Sequence, residues 1–259
     1  MLDVSGLVPA VRPIVRAAAE ALVRHVQPWL VGISVHGSAY KGGFIPGCSD
    51  VDMQLYLEPS AFTDDGQLPL ERCIAIHRDL ARIDPAPFGY IQVRALSRIP
   101  SPDHVGPLPG AYMVVTGSMP LPGATEWPFR EAAEAALPRL GPVPAYLPGG
   151  LLDHGADRLA RQVRWLCTEV WPALYHLLSL RTGDALAVWR LPKEQAIALL
   201  PADEVPGSAI RAFYAPARAH YPAQATVDGA LAVIETSVAF LGAARAWWDS
   251  ELQNNRAGG

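Results

Sequence analysis

The side chains with chemistry to offer are concentrated between positions 36 and 52, in the run His36-Gly37-Ser38-Ala39-Tyr40-Lys41-Gly42-Gly43-Phe44-Ile45-Pro46-Gly47-Cys48-Ser49-Asp50-Val51-Asp52. Asp50 and Asp52 stand two apart at the start of a β-rich run, and strand residues two apart leave from the same face. Two carboxylates on one face can hold Mg2+, which takes one or two carboxylates and fills its other positions with water and phosphate oxygens. Gly37 has no Cβ, so its backbone can come close to a ligand. Ser38 sets a hydroxyl donor beside backbone N–H groups, a fit for terminal phosphate oxygens. A metal held in this way aligns a nucleoside triphosphate and stabilises charge on leaving pyrophosphate. Taken alone, Ser49-Asp50 also reads as an Asx-type turn entering a strand. The ordered succession of strand, Gly-Ser, glycine loop, Ser-Asp-x-Asp and strand favours the metal-and-phosphate reading.

Those residues need strands and helices to hold them. Val8, Val11, Val15, Ala18, Leu22 and Val26 recur at helical spacing and predict a leading amphipathic helix over 8–26. A short buried strand over 31–35 follows, then the glycine loop of 36–49. A second strand is expected over 51–57, with Val51, Met53, Leu55 and Leu57 on one face and Asp52, Gln54 and Tyr56 on the other. Residues 69–83 read as a helix with Cys73, Ile76, Leu80 and Ile83 as its buried stripe. A third strand over 88–95 sets Ile91, Val93 and Ala95 against Tyr90, Gln92 and Arg94. Prolines crowd 97–125, where only 111–115 suits a short element, and 137–150 is again proline-rich. The domain boundary is expected there, giving domains 1–140 and 141–259. Beyond it the pattern is helical: 157–181, bent or broken at Pro172; 194–200, stopped by Pro201; 208–220, interrupted by Pro216; and 227–252. The expected fold class is α+β, a mixed β-sheet domain flanked by helices and followed by an all-α helical bundle.

Composition narrows the partners. With 50% apolar and 18% charged residues in 259, a folded chain is expected and disorder is not. The net charge of −4 leaves neither half with the positive excess that tracks a polynucleotide backbone, so no long nucleic acid is expected and a small-molecule partner is. Arg12, Arg16 and Arg24 interrupt the apolar start, so no secretion signal is expected. No uncharged apolar run reaches the ~20 residues that span a bilayer, and no membrane association is expected. Three cysteines at no metal-ligand spacing, Cys48, Cys73 and Cys167, suit a reducing, cytoplasmic setting. There is no Walker-type motif, dinucleotide fingerprint or nucleophile elbow.

The Gly37-Ser38 pair followed after a short loop by Asp50-x-Asp52 resembles the signature of the DNA polymerase β-type nucleotidyltransferase superfamily. Within it, Gly37-Ser38-Ala39-x-x-Gly42-Gly43-x-x-Pro46 before Ser49-Asp50-x-Asp52 resembles the streptomycin/spectinomycin-type aminoglycoside adenylyltransferases, with one extra residue before Ser49. The layout stays similar at Thr182-Gly183, Pro192-Lys193-Glu194, Leu200-Pro201 and 214–221. The resemblance implies Mg2+-dependent transfer of AMP, with ATP as co-substrate, to a hydroxyl of a small-molecule acceptor. An aminoglycoside-like acceptor, and hence antibiotic resistance, is the family's implication; a monomer or weak dimer is expected. It further implies that the helical domain closes over the nucleotide and helps bind the acceptor. Lys193, one of only two lysines, falls where a lysine contacts the nucleotide phosphates. Glu169 lies near an acidic acceptor-binding residue, and equally suits an ion pair with Arg164 or a nearby arginine.

At one position the resemblance fails. Those enzymes carry a third carboxylate on a later strand, and Tyr90-Ile91-Gln92-Val93 puts Gln92 in its place. An amide orients a hydroxyl or water, but it accepts no proton at neutral pH. Three outcomes stay open: another base acts, the acceptor needs little base help, or the chain binds its ligands without turning them over. Asp79, Asp84 and Glu71 read as ordinary helix charges, and Asp153 and Asp157 as N-terminal charges of the helix that follows. His36 either approaches the phosphates or packs at a strand end. The tryptophans of the helical half, Trp165, Trp171, Trp189, Trp247 and Trp248, are expected in its core.

Overall fold

The computed structural model describes residues 2–99, 105–141, 143–155, 157–221 and 226–257, with side chains through 251. Two compact units emerge, Met1–Ala124 and Thr125–Gly259. The fold class is α+β, as expected.

The first unit runs through a 3-10 turn (Pro9–Val11), α1 (Arg12–Val26), β1 (Leu30–His36), the one-turn helix α2 (Ser38–Lys41), β2 (Val51–Leu57), α3 (Leu70–Leu80), β3 (Ile91–Ser97) and β4 (Tyr112–Gly117). Its four strands form one mixed sheet in the order β3-β2-β1-β4. β1 pairs antiparallel with β2 and β4, whereas β2 and β3 are parallel. A parallel pair needs a crossover rather than a hairpin, and α3 lies within it.

Alternation sorts the sheet into two faces. Ile33, Val35, Val51, Met53, Leu55, Leu57 and Val115 turn to a core closed by Val15, Ala18, Leu22 and Val26 of α1. The predicted stripe of α1 is therefore the buried one, apart from a partly buried Val8. Strand β2 matches its expected bounds, and Tyr56, expected on the polar face, is buried. Strand β3 starts at Ile91 rather than 88: Phe88 stacks on Phe44 with centroids 4.5 Å apart, Pro87 and Gly89 bond to the glycine loop at Gly47 and Ser49, and contact with β2 begins only at Tyr90, whose carbonyl accepts from the Val51 amide. In α3 Ile76 is buried, while Cys73 faces solvent.

The second unit comprises α4 (Glu126–Ala136), α5 (Leu147–Leu152), α6 (Arg158–Thr182), α7 (Ala185–Arg190), α8 (Lys193–Ala198), α9 (Val205–His220) and α10 (Val227–Ala257). Helix α6 is its spine, touched by α4, α5, α7, α8 and α10. The division falls at 124/125, ahead of the boundary expected near 140, because α4 packs on α6 and α7. The Glu126 carboxylate accepts from the amides of Ala185 and, at 2.9 Å, Leu186, while Asp184 accepts from Ala187 at 2.9 Å. Helix α4 thus satisfies two first-turn amides of α7 from far along the chain, beside the cap Asp184 supplies. Glu126→Ala would leave two part-buried amides without that partner. The expected cost is about 1–3 kcal/mol, read as a Tm lower by roughly 3–10 °C. An unchanged thermal transition would mean that water replaces the carboxylate.

Neither proline breaks its helix. α6 continues through Pro172 and α9 through Pro216. An interior proline costs about 3 kcal/mol. Leu166, Val170, Leu174, Leu177 and Leu178 of α6 are fully buried, and each such side chain contributes about 1.5–3 kcal/mol, so packing outweighs the proline. The Arg211 guanidinium ties α9 to the preceding segment, donating to the carbonyls of Gly207 and Leu200 at 2.7 Å and Ile197 at 3.3 Å. By length and composition Val227–Glu251 of α10 could cross a membrane, with a mean hydropathy of 1.5, but Val233, Phe240 and Leu241 are buried within the unit, as in a core helix.

Candidate functional site

Register assembles the site. On the face of the sheet away from α1, Asp52 of β2 lies beside His36 of β1 and Gln92 of β3, and His36 lies beside Tyr112 of β4. Gln92, Asp52, His36 and Tyr112 therefore form one row across four strands, side chains on one face. Asp50 precedes Asp52 by two residues, and both are half-buried. The next row carries Arg94, Gln54 and Ser34.

The glycine loop is braced against this row. Gly37 has φ +65°, in the left-handed region, and a Cβ added there would collide with the Asp52 carboxylate. The backbone leaving β1 can pass that close to the carboxylate only because position 37 has no side chain. Ser38, 7% exposed, opens α2, whose first turn closes by Tyr40 and Lys41 amides donating to the Gly37 carbonyl at 3.2 and 2.9 Å. Further along, the Ile45 amide donates to Ser49 Oγ at 2.9 Å, and the Ser49 amide donates to the Ile45 carbonyl at 2.9 Å. The Gly47 amide donates to Pro87 and the Gly89 amide to Ser49, each at 2.8 Å. Gly89 is needed for the approach, since a Cβ there would lie 2.6 Å from the Gly47 carbonyl oxygen.

Gly37→Ala is expected to destabilise the unit by about 1–2 kcal/mol from the left-handed backbone alone, with the clash against Asp52 adding to it. Thermal unfolding checks this. A Tm equal to that of the natural protein would show that the loop can stand away from Asp52.

The electrostatics are mixed. Burial holds the His36 imidazole below its ordinary pKa; Asp50 opposes that shift, and Lys41 and Arg94 add to it. His36 is thus neutral at neutral pH, within reach of one acid and two cations. Gln92 is exposed, with Tyr90 Oη 3.5 Å from its Oε1, the outer limit for a hydrogen bond. Among the described residues no group of three or more His, Cys, Asp and Glu side chains could hold a metal. The oxygen donors present are Asp50 and Asp52, with the Gln92 amide on the strand beside them. Such a set fits Mg2+, which accepts few protein ligands and keeps water and phosphate oxygens, and does not suit a softer metal.

Of the alternative acids, Asp79 is engaged, paired with Arg24 at 3.1 Å and with His25 and Arg82 at 3.0 Å. Asp157 pairs with Arg161 at 3.0 Å, and Asp153 lies 3.9 Å from Arg158. Each of the three thus has an arginine beside it. His36 and Arg94 were visible in sequence as strand-end and polar-face residues. Tyr112 was not, because only the pairing of β4 with β1 brings it into the row.

In the helical unit Lys193 begins α8, its Nζ 5.3 Å from the Trp171 ring centroid. Trp171 packs edge-on against Phe213 and Tyr214, at 5.3 and 5.8 Å. Glu194 accepts from Tyr214 Oη at 3.0 Å and from Arg218 at 3.1 Å. Burial, then the Glu194 carboxylate, push the Tyr214 phenol up to about 12. Lys193 is therefore held by packing rather than loose on the surface. Glu169 is not with it. Two residues before Trp171, it lies about 200° round α6 and lines a separate cleft. Trp165 is 44% exposed rather than core; Trp171, Trp189, Trp247 and Trp248 are partly buried.

No protein-family model matches the chain, and no curated protein does. Among solved structures it is similar to spectinomycin adenyltransferase AAD(9) from Enterococcus faecialis with ATP and spectinomycin, at a TM-score of 0.49 and 13% sequence identity, over 88% of this chain and 98% of that one. At that level of likeness, any assignment of chemistry stands on this chain's own residues.

Proposed function

We propose that the chain is a Mg2+-dependent nucleotidyltransferase that moves AMP from ATP to a hydroxyl of a small polar acceptor, with an aminoglycoside-like acceptor the first candidate. The observation that carries this reading is the row Gln92, Asp52, His36 and Tyr112, with Asp50 before it and Gly37 turned against the Asp52 carboxylate. Asp50 and Asp52 would hold the metal, which when bound supplies charge neutralisation at the triphosphate and the leaving pyrophosphate. Gly37 admits phosphate oxygens close to the backbone, and the Ser38 hydroxyl donates to one of them. Lys193 adds positive charge toward the phosphates, and Glu169 serves the acceptor. In the transfer the acceptor oxygen bonds to the α-phosphorus, the bond from that phosphorus to the bridging oxygen breaks, and pyrophosphate leaves with the electron pair. The hydroxyl proton goes to a base other than Gln92, or to water.

A second reading has an observation of its own. Gln92 presents a neutral amide beside Asp52, and the described residues offer no third carboxylate there. A chain that binds a nucleotide or small molecule without turnover would look like this. Mg2+-dependent pyrophosphate release from ATP, with and without each of a panel of aminoglycosides, separates the two. Acceptor-dependent release by the natural protein is the result expected of a transferase. Release by Gln92→Glu alone would establish the binding protein instead.

A further inference from the structure

Helix α6 presents Glu169, Pro172, Ala173 and His176 along one face, the spacing of neighbours on a helix. They line a cleft of about 610 Å³ inside the helical unit, with Tyr146 and Thr168. This is the size of a small-molecule site, and most of the remaining lining is apolar, including Leu137, Leu140, Val143 and Leu241. The polar groups that do reach it are unusual in kind. Glu169 is a half-buried carboxylate. Thr168 sits four residues before Pro172, which has no N–H to give its carbonyl. Among the described residues, the buried Tyr146 Oη and His176 Nδ1 meet no hydrogen-bond partner. Burial, then the Glu169 carboxylate, raise the Tyr146 phenol, so hydroxyl and carboxylate are close without meeting in hydrogen-bonding geometry. Burial lowers His176 to about 4, so at neutral pH it adds no positive charge. The cationic lining residue, Arg139, is exposed, where water screens it.

A cleft rich in acceptors and poor in charge compensation calls for a donor that carries positive charge. We propose that it binds a compact protonated amine on an apolar body, the ammonium against Glu169 with Tyr146 and the Thr168 carbonyl beside it, and the body along the leucines. The inference shares Glu169 with the acceptor role proposed above, but it concerns binding and needs no transfer.

Isothermal titration of the full chain without ATP tests it, using three probes of one skeleton: 4-phenylbutylamine, 4-phenylbutan-1-ol and 4-phenylbutanoate. The expected result is one amine bound per chain, at least tenfold tighter than the alcohol, and no binding of the carboxylate. Glu169→Gln should remove that tenfold preference while leaving the alcohol's affinity unchanged. Far-UV circular dichroism and Tm establish that the variant folds, and Tyr146→Phe provides a second, milder loss. Equal binding of amine and alcohol, no amine binding, or full amine binding by Glu169→Gln would each overturn the proposal. Asp50→Asn keeps the two readings apart: it should bind the amine as the natural protein does, whatever becomes of pyrophosphate release.

Discussion

Asp52→Asn is expected to lower acceptor-dependent pyrophosphate release by about 10³-fold, the scale of a metal ligand worth several kcal/mol of transition-state charge stabilisation. The size follows from where Asp52 sits. It lies inside the polar row, between His36 in β1 and Gln92 in β3, and the Gly37 turn passes against its carboxylate. Asparagine keeps the volume and one oxygen, so loop and sheet should survive while the charge that holds the metal is lost. Tm within a few degrees of the natural protein, together with the lost rate, would identify a ligand role. A rate within threefold of the natural one would remove Asp52 from the metal site, and the proposed function with it.

The other large effect runs the opposite way. Gln92→Glu is expected to raise the transfer rate by about 10²–10⁴-fold, the usual contribution of a positioned general base. The substitution is nearly isosteric and the side chain is exposed on edge strand β3, so little packing stands in its way. Its register places the new carboxylate beside Asp52, where it can complete a three-carboxylate set or take the acceptor's proton. Single-turnover kinetics with Mg2+-ATP measure the gain directly. A rate unchanged by the new carboxylate would mean that the base lies elsewhere or that proton removal does not limit the reaction. If the natural protein has no rate at all and the variant has one, the chain is a binding protein on a transferase frame.

What the sequence determined by itself is local and periodic. The two-residue period of 51–57 and 91–95 put Asp52 and Gln92 on the polar faces of their strands, and the observed burial follows that alternation except at Tyr56. The spacing of apolar residues likewise marked α6 to within a residue at each end, the C-terminal end of α1 and the start of α10, while α1 starts later and α10 ends later than expected. Each of these follows from backbone geometry within a few residues, which a sequence displays directly.

Tertiary structure decided whatever depends on partners far along the chain. Asp52 stands next to His36 and Gln92, and His36 next to Tyr112, only because the strands pair in the order β3-β2-β1-β4, and no period in the sequence encodes that order. The unit boundary moved ahead of the proline-rich stretch because α4 has its packing partners in α6 and α7, and Glu126 its amides at 185 and 186. Pro172 and Pro216 do not break their helices because buried neighbours outweigh a cost that local propensity counts in full. Glu169 and Lys193, which sequence resemblance assigns to one bound complex, lie on different sides of α6, one in an apolar cleft and the other against Trp171. Which face of a helix meets which neighbour is set by packing, and packing exists only once the chain has folded.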